Sequence, residues 1–204
     1  MSYGYIGDTS TSIKQQVKNA GVLSIHDIHE LQAAGQLGGS LDFITEVTGS
    51  SSTLDIVDKF SDYDVHFLEL IDITTTTQTE IGLRFSNDSG SSYETSNYHF
   101  GNWRVYEDGT TSKRKSTSQG SLRIGGDVLS NSEFNAYMYI FNANNASLYT
   151  HITSHCTFMQ GTAYATEWGH GVYAASETVN GIRIGEGILS SLNNGTARLY
   201  GVKQ

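Results

Sequence analysis

The histidines are the first residues in this sequence that could do chemistry, since imidazole is a common metal ligand and proton carrier. There are seven, and His26 and His29 stand three residues apart beside Glu30, a spacing at which helical neighbours can share a metal. His151 and His155 would lie on one face of a strand. Neither pair shows the further ligands of a protein zinc site. We expect polar surface positions for both pairs, and the sequence predicts no metal and no cofactor.

Other motifs that could support catalysis are incomplete. The stretch NDSG at residues 87–90 resembles a calcium loop but lacks the spaced carboxylates and the bidentate glutamate, so we interpret it as a hairpin turn. The GEG stretch at 185–187 lacks both the Gly-Lys-Ser/Thr ending and the following helix of a phosphate loop. Neither a nucleophile elbow nor a pair of neighbouring carboxylates of the glycosidase type appears. The sequence therefore predicts no catalytic residue and no enzyme.

Aromatic residues offer a different chemistry, because an exposed ring can stack on a sugar. The chain holds twelve tyrosines and two tryptophans among many neutral polar residues, and six of them are candidates: Tyr98, Trp103, Tyr106, Tyr164, Trp168 and Tyr173. Burial in a core or a subunit interface is the default for any single aromatic residue. The WGHG stretch at 168–171 is predicted to be an exposed loop. The predicted glycan or host contacts are Trp103, Trp168, His170 and Tyr173.

A short basic run joins these candidates. Lys113, Arg114 and Lys115 are three of the twelve basic residues in a chain of net charge -9. They would suit an acidic partner or a negatively charged bacterial surface, but a solvated loop over residues 112–120 is the favoured interpretation. The acidic balance of the whole chain argues against nucleic acid as a partner.

Composition limits the remaining classes. With 204 residues the chain can build one domain with a substantial core. Cys156 is the single cysteine, so an intrachain disulfide and a multi-cysteine zinc site are excluded, and we expect a buried strand residue. We expect neither a signal peptide nor membrane insertion, because no apolar run approaches the length that spans a bilayer.

The elements begin with a predicted helix over residues 25–34. Ser24 can cap it, with Asp27 completing a capping-box pattern, and Ile25, Ile28 and Leu31 form one apolar stripe. A helix this short is marginal in water without a packing partner. We therefore expect the stripe to be buried against another protein.

The residues before this helix do not make a core of their own. They would lie either on the β domain or on a neighbouring chain, and we interpret residues 1–38 as an attachment arm that docks on a larger protein. Its predicted partner-binding residues are apolar or aromatic: Tyr3, Tyr5, Ile6, Ile13, Val17, Val22, Leu23, Ile25, Ile28 and Leu31.

After Gly39 the pattern changes to strands separated by turns, which predicts an all-β antiparallel sandwich of the jelly-roll kind over residues 40–204. The predicted strands are 41–47, 53–57, 65–73, 80–85, 98–106, 121–124, 134–141, 148–154, 157–164, 181–184 and 197–202. Turns are predicted at 87–90, 107–109 and 193–195. In strand 134–141 both faces carry large apolar or aromatic residues, a pattern compatible with cover on both sides.

Several stretches carry a resemblance to small virion proteins of marine tailed bacteriophages. They are GVLSIHDIHEL (21–31), GSL (39–41), YDVHFL (63–68), LRFSNDSGSSY (83–93), NAYMYIFN (135–142) and GTARLYGVK (195–203). The opening GYIG (4–7) is similar to the start of many marine-phage tail proteins. The resemblance implies a jelly-roll-like domain displayed on the particle, attached by its N-terminal segment and without a known catalytic site.

From these observations we expect a structural protein on the exterior of a tailed-phage particle, made in the host cytoplasm. Its expected place is a tail fibre or another tail-associated component that contacts the host, anchored to a tail, portal or adaptor, or capsid protein. A capsid decoration protein (head fibre or cement) is the first alternative, and a glycan-binding module is the second. A homo-oligomer, with a trimer favoured, is expected because particle components sit on symmetric supports.

Overall fold

The computed structural model describes residues 40–49, 52–185 and 192–203. The predicted attachment arm and its helix lie outside the described residues, as does the GEG stretch after position 185. The described residues form twelve strands and no helix: β1 (Leu41–Gly49), β2 (Leu54–Val57), β3 (Val65–Thr75), β4 (Thr79–Ser86), β5 (Tyr98–Tyr106), β6 (Thr111–Gln119), β7 (Leu122–Val128), β8 (Phe134–Phe141), β9 (Thr150–Gln160), β10 (Ala163–Tyr173), β11 (Gly181–Ile184) and β12 (Leu192–Val202). No helix with the length and hydropathy to cross a bilayer is found among them.

The strands build two antiparallel sheets that pack face to face, which confirms the predicted β-sandwich. The large sheet has eight strands in the order β1-β12-β3-β8-β9-β10-β5-β6, and the small sheet has four in the order β2-β11-β4-β7. The pairs β2·β11, β3·β8, β4·β7 and β5·β6 are nested along the chain and alternate between the sheets. This nesting is the jelly-roll arrangement, with the meander β8-β9-β10 widening the large sheet between β3 and β5.

One side of the large sheet is covered by the small sheet, and the other side is the outer face. Strand β8 shows the division: Phe134 and Met138 are fully buried between the sheets, while Tyr137 and Tyr139 are exposed on the outer face. The described residues thus cover only one face of this strand. Among the described residues, one hydrophobic core fills the space between the sheets.

Two predicted loops are strands instead. Residues 112–120 fall largely in β6. This is an edge strand, and its polar side chains can face solvent without being covered by another sheet. Residues 168–171 lie within β10. Their glycines permit close approach, because a Cβ at Gly169 would stand 2.1 Å from Asn102 Oδ1 and one at Gly171 2.5 Å from Leu122. Glycine therefore indicated backbone crowding at these positions rather than a turn.

The predicted turns had mixed outcomes. The turn at 107–109 joins β5 to β6, with Gly109 at φ +82°. The turn at 87–90 exists, but it links strands of different sheets and is not a hairpin. The turn predicted at 193–195 is wrong, since these residues form irregular pairs with β3 inside β12. The strands predicted at 148–154 and 157–164 are also misplaced: β9 continues to Gln160 and the chain turns at Gly161.

Candidate functional site

Residues from three strands form a shallow cleft on the outer face of the large sheet. We define the basic cleft by Trp103 on β5, Lys113 and Lys115 on β6, and Trp168 and His170 on β10. Strand pairing brings them together, because Trp103 lies opposite both Trp168 and Lys113. The cleft has a volume of about 650 Å³. Five of the seven predicted glycan or host contacts thus meet at one place.

The side chains of the cleft are exposed but ordered by contacts. The indoles of Trp103 and Trp168 are 37% and 45% exposed. Lys113 Nζ lies 4.6 Å from the centre of the Trp103 ring, a cation–π contact that holds the ammonium group beside an indole. Gly101 makes room for the imidazole of His170, since a Cβ there would stand 3.0 Å from His170 Cε1. A ligand would therefore meet rings and charges held on strands rather than on loops.

The cleft is basic within an acidic chain. No aspartate or glutamate occurs among the described residues that line it: Gly101, Asn102, Trp103, Lys113, Arg114, Lys115, Ser154, Trp168, Gly169 and His170. The ammonium groups of Lys113 and Lys115 stand on the exposed side of β6. The local charge is thus opposite in sign to the chain's net charge of -9.

Two predicted contact residues do not present their side chains to the outer face. Arg114 points inward because β6 alternates, and its guanidinium forms ion pairs with Glu80 at 3.3 Å and with Asp127. Tyr173 is buried in the core and donates its hydroxyl hydrogen bond to Glu177. Both are corrected to structural roles.

The remaining predicted aromatic candidates divide between core and surface. Tyr98 is buried, and its hydroxyl accepts a hydrogen bond from the Phe85 amide at 2.8 Å. Tyr106 hydrogen-bonds Gln160 at 2.8 Å. Tyr164 is 64% exposed, but it lines a separate hollow of about 510 Å³ with Glu107 and Glu133. This hollow carries carboxylates where the basic cleft carries ammonium groups.

Directly beneath the cleft lies a buried ion pair that sequence reasoning missed. Arg104 and Glu167 are each 1% exposed, with Arg104 Nη2 at 2.6 Å and Nε at 2.8 Å from Glu167 Oε2. Asn102 donates a further hydrogen bond to Glu167 at 2.7 Å. Burial opposes the charge on Arg104, yet the hydrogen bond to Tyr106 and the Glu167 carboxylate outweigh it and raise the pKa of Arg104. Arg104 and Glu167 are the chain neighbours of Trp103 and Trp168. Because side chains alternate along a strand, the charged pair faces inward and the two indoles face outward.

A row of rings continues from the cleft across the outer face, which the sequence also did not reveal. We call it the aromatic row. It runs over six neighbouring strands with ring centres 5.4 to 6.2 Å apart, through Trp168, His155, Tyr137, Phe67, Tyr200 and Phe43. His155 is fixed within it, since its ring nitrogens hydrogen-bond Tyr137 at 3.1 Å and Thr166 at 2.8 Å.

The predicted absence of metal chemistry remains a prediction. No group of three or more His, Cys, Asp or Glu side chains that could hold a metal occurs in the described part of the chain. His151 and His155 share one face of β9, as predicted, whereas His26 and His29 lie outside the described residues. In the turn at 87–90, hydrogen bonds from Ser86 and Ser92 occupy the Asp88 carboxylate and lower its pKa to about 2.

Comparison with known proteins adds no relative. No protein-family model matches the chain, and neither curated proteins nor solved structures show a significant match.

Proposed function

We propose that this chain is a structural, non-enzymatic protein on the exterior of a tailed-phage particle, and that its sandwich contacts the host surface through the basic cleft. The observation that carries the proposal is the convergence of Trp103, Trp168, Lys113, Lys115 and His170 on one exposed face. The resemblance to virion proteins of marine tailed phages supplies the setting.

The geometry of the cleft supports a role in contact. Tryptophan is enriched where protein surfaces bind partners, and an exposed apolar patch rimmed by polar residues marks an interaction site. These side chains stand on strands β5, β6 and β10, and a site built on strands is positioned more precisely than one built on loops. Because a host-contact site belongs on the part of the particle that meets the host, we favour a tail fibre or another tail-associated component.

The mode of attachment is part of the same proposal. Residues 1–38 would dock on a larger virion protein through their apolar side chains, and the sandwich would face outward. Symmetric supports favour several copies, with a trimer as the expected state. A capsid decoration protein would use the same arm, while a free glycan-binding module would need only the cleft.

Particle labelling and cell binding test this proposal. Immunogold against the sandwich should mark the tail, with few copies per particle, and purified protein should bind host cells. Trp168→Ala should weaken that binding, whereas Tyr164→Ala, an equally drastic change on the same face of β10 but outside the cleft, should not. Labelling of the head with about a hundred copies or more, or host binding that Trp168→Ala leaves intact, would contradict the proposal.

A further inference from the structure

The ligand class of the basic cleft can be argued from its charge and its polar surroundings. Two exposed ammonium groups and the His170 imidazole stand within one open cleft, and no lining residue is acidic. Charge complementarity therefore favours an anionic ligand. Because the two indoles lie on neighbouring strands, the same ligand can touch both rings and both lysines.

The shape and polarity of the outer face favour a saccharide over an acidic peptide. Beside the rings, this face carries the exposed hydroxyl groups of Thr153 and Thr157, which match sugar hydroxyls. The aromatic row extends from Trp168 across five further strands, about 24 Å at the usual strand spacing. Such a row offers aromatic contacts along a chain of several sugar units, although neighbouring rings meet edge to face at three of its five contacts.

We propose that the basic cleft and the aromatic row bind an acidic polysaccharide, with Trp103 and Trp168 stacking on its sugar rings and Lys113 and Lys115 contacting its anionic groups. This inference rests on the proposed host-contact function and names the substrate class of that site. The anionic group can be a carboxylate or a sulfate, since an ammonium group donates hydrogen bonds to either.

Calorimetric titration of the full-length purified protein with matched sugars tests the inference. The probes are an oligogalacturonate and its methyl ester, and a sulfated galactan oligosaccharide and its desulfated form. We expect at least one anionic probe to bind about tenfold or more tightly than its neutral counterpart, the equivalent of losing one charge-assisted contact. Its affinity should fall as salt is raised, because the lysines are exposed.

Variants assign the binding to the cleft. Lys113→Gln and Lys115→Gln should each weaken the anionic probe several-fold, up to about tenfold. Lys59→Gln makes the same charge change at an exposed residue outside the cleft and should leave the affinity unchanged. Trp168→Ala should abolish stacking and weaken both members of a pair, while Tyr164→Ala should not. Circular dichroism confirms that each variant is folded.

Three results would overturn the inference. They are a neutral probe that binds as tightly as the anionic one, poly-glutamate that binds as tightly as either sugar, and a Lys59→Gln variant that weakens binding as much as Lys115→Gln. Failure of all four sugars, with host-cell binding still lost in Trp168→Ala, would reject an acidic polysaccharide and leave the proposed host-contact function standing. Host-cell binding unaffected by Trp168→Ala would reject the proposed function itself.

Discussion

Replacing Glu167 with alanine should destabilise the sandwich strongly. The carboxylate accepts hydrogen bonds from Arg104 Nε at 2.8 Å, Arg104 Nη2 at 2.6 Å and Asn102 at 2.7 Å, and both ionic partners are almost fully buried. Its loss leaves a buried guanidinium with Asp127 at 3.6 Å as the nearest remaining carboxylate. Removing one partner of a buried pair costs about 3–5 kcal/mol, and Asp127 places the expected loss near 3 kcal/mol.

Urea unfolding followed by tryptophan fluorescence measures this loss. For a chain of this length, about 3 kcal/mol corresponds to a fall in Tm of about 6–12 °C. Glu46→Ala is the matched control, because Glu46 pairs with Arg198 at 2.6 Å with both side chains 41% exposed. An exposed pair contributes about 0–1 kcal/mol. If Glu167→Ala costs no more than Glu46→Ala, the reasoning about burial is refuted.

Two further predictions concern buried titratable groups. Burial lowers the pKa of His66 from 6.5 to about 4, with Asp62 opposing the shift. As the pH is lowered, the unfolded chain takes up this proton first, so the free energy of unfolding should fall between pH 6.5 and 4, by about 2.5 kcal/mol at pH 4.5. His66→Phe should remove that part of the pH dependence. An unchanged pH dependence in this variant would contradict the prediction. Burial also raises the pKa of the Cys156 thiol. Ellman's reagent should therefore label the protein only after unfolding, and rapid labelling of the folded protein would show that the thiol is accessible.

The strands with clear alternation were predictable from sequence. Residues 98–106, 134–141 and 181–184 match β5, β8 and β11 at both ends. In β8 the reason is visible, because a half-buried strand imposes a period of two. Cys156 is buried in β9 as predicted. Strand β6 could not be found this way, since a polar edge strand has almost no apolar signal.

The components of the cleft were predictable, but their assembly was not. Trp103, the run at 113–115 and the stretch at 168–171 were separate candidates in sequence, and only the register of β5 with β6 and β10 brings them together. Arg114 was assigned to the surface because the basic run was predicted to be a loop, and a loop does not fix the direction of each side chain. In a strand the side chains alternate, so the middle residue of the run points inward. The turn at 107–109 joins β5 to β6, but local sequence carries no record of the pairing between β5 and β10.

The buried pair and the aromatic row depend on the same long-range pairing. Arg104 next to Trp103, and Glu167 next to Trp168, place a charge and an indole on opposite faces of each strand. These neighbouring residues predict that Arg104 and Glu167 are buried only after it is known that the two indoles face outward. The row requires the order of six strands, which one sequence does not provide.

Adsorption of whole particles tests the role of the basic cleft most directly. Under the proposed function, phage carrying Trp168→Ala and phage carrying Tyr164→Ala should assemble with equal copies of the protein. Their adsorption rate constants on the host are then compared with wild type. The proposed function predicts markedly slower adsorption for Trp168→Ala and wild-type adsorption for Tyr164→Ala. Equal adsorption by all three particles would contradict the assignment of the basic cleft as the host-contact site.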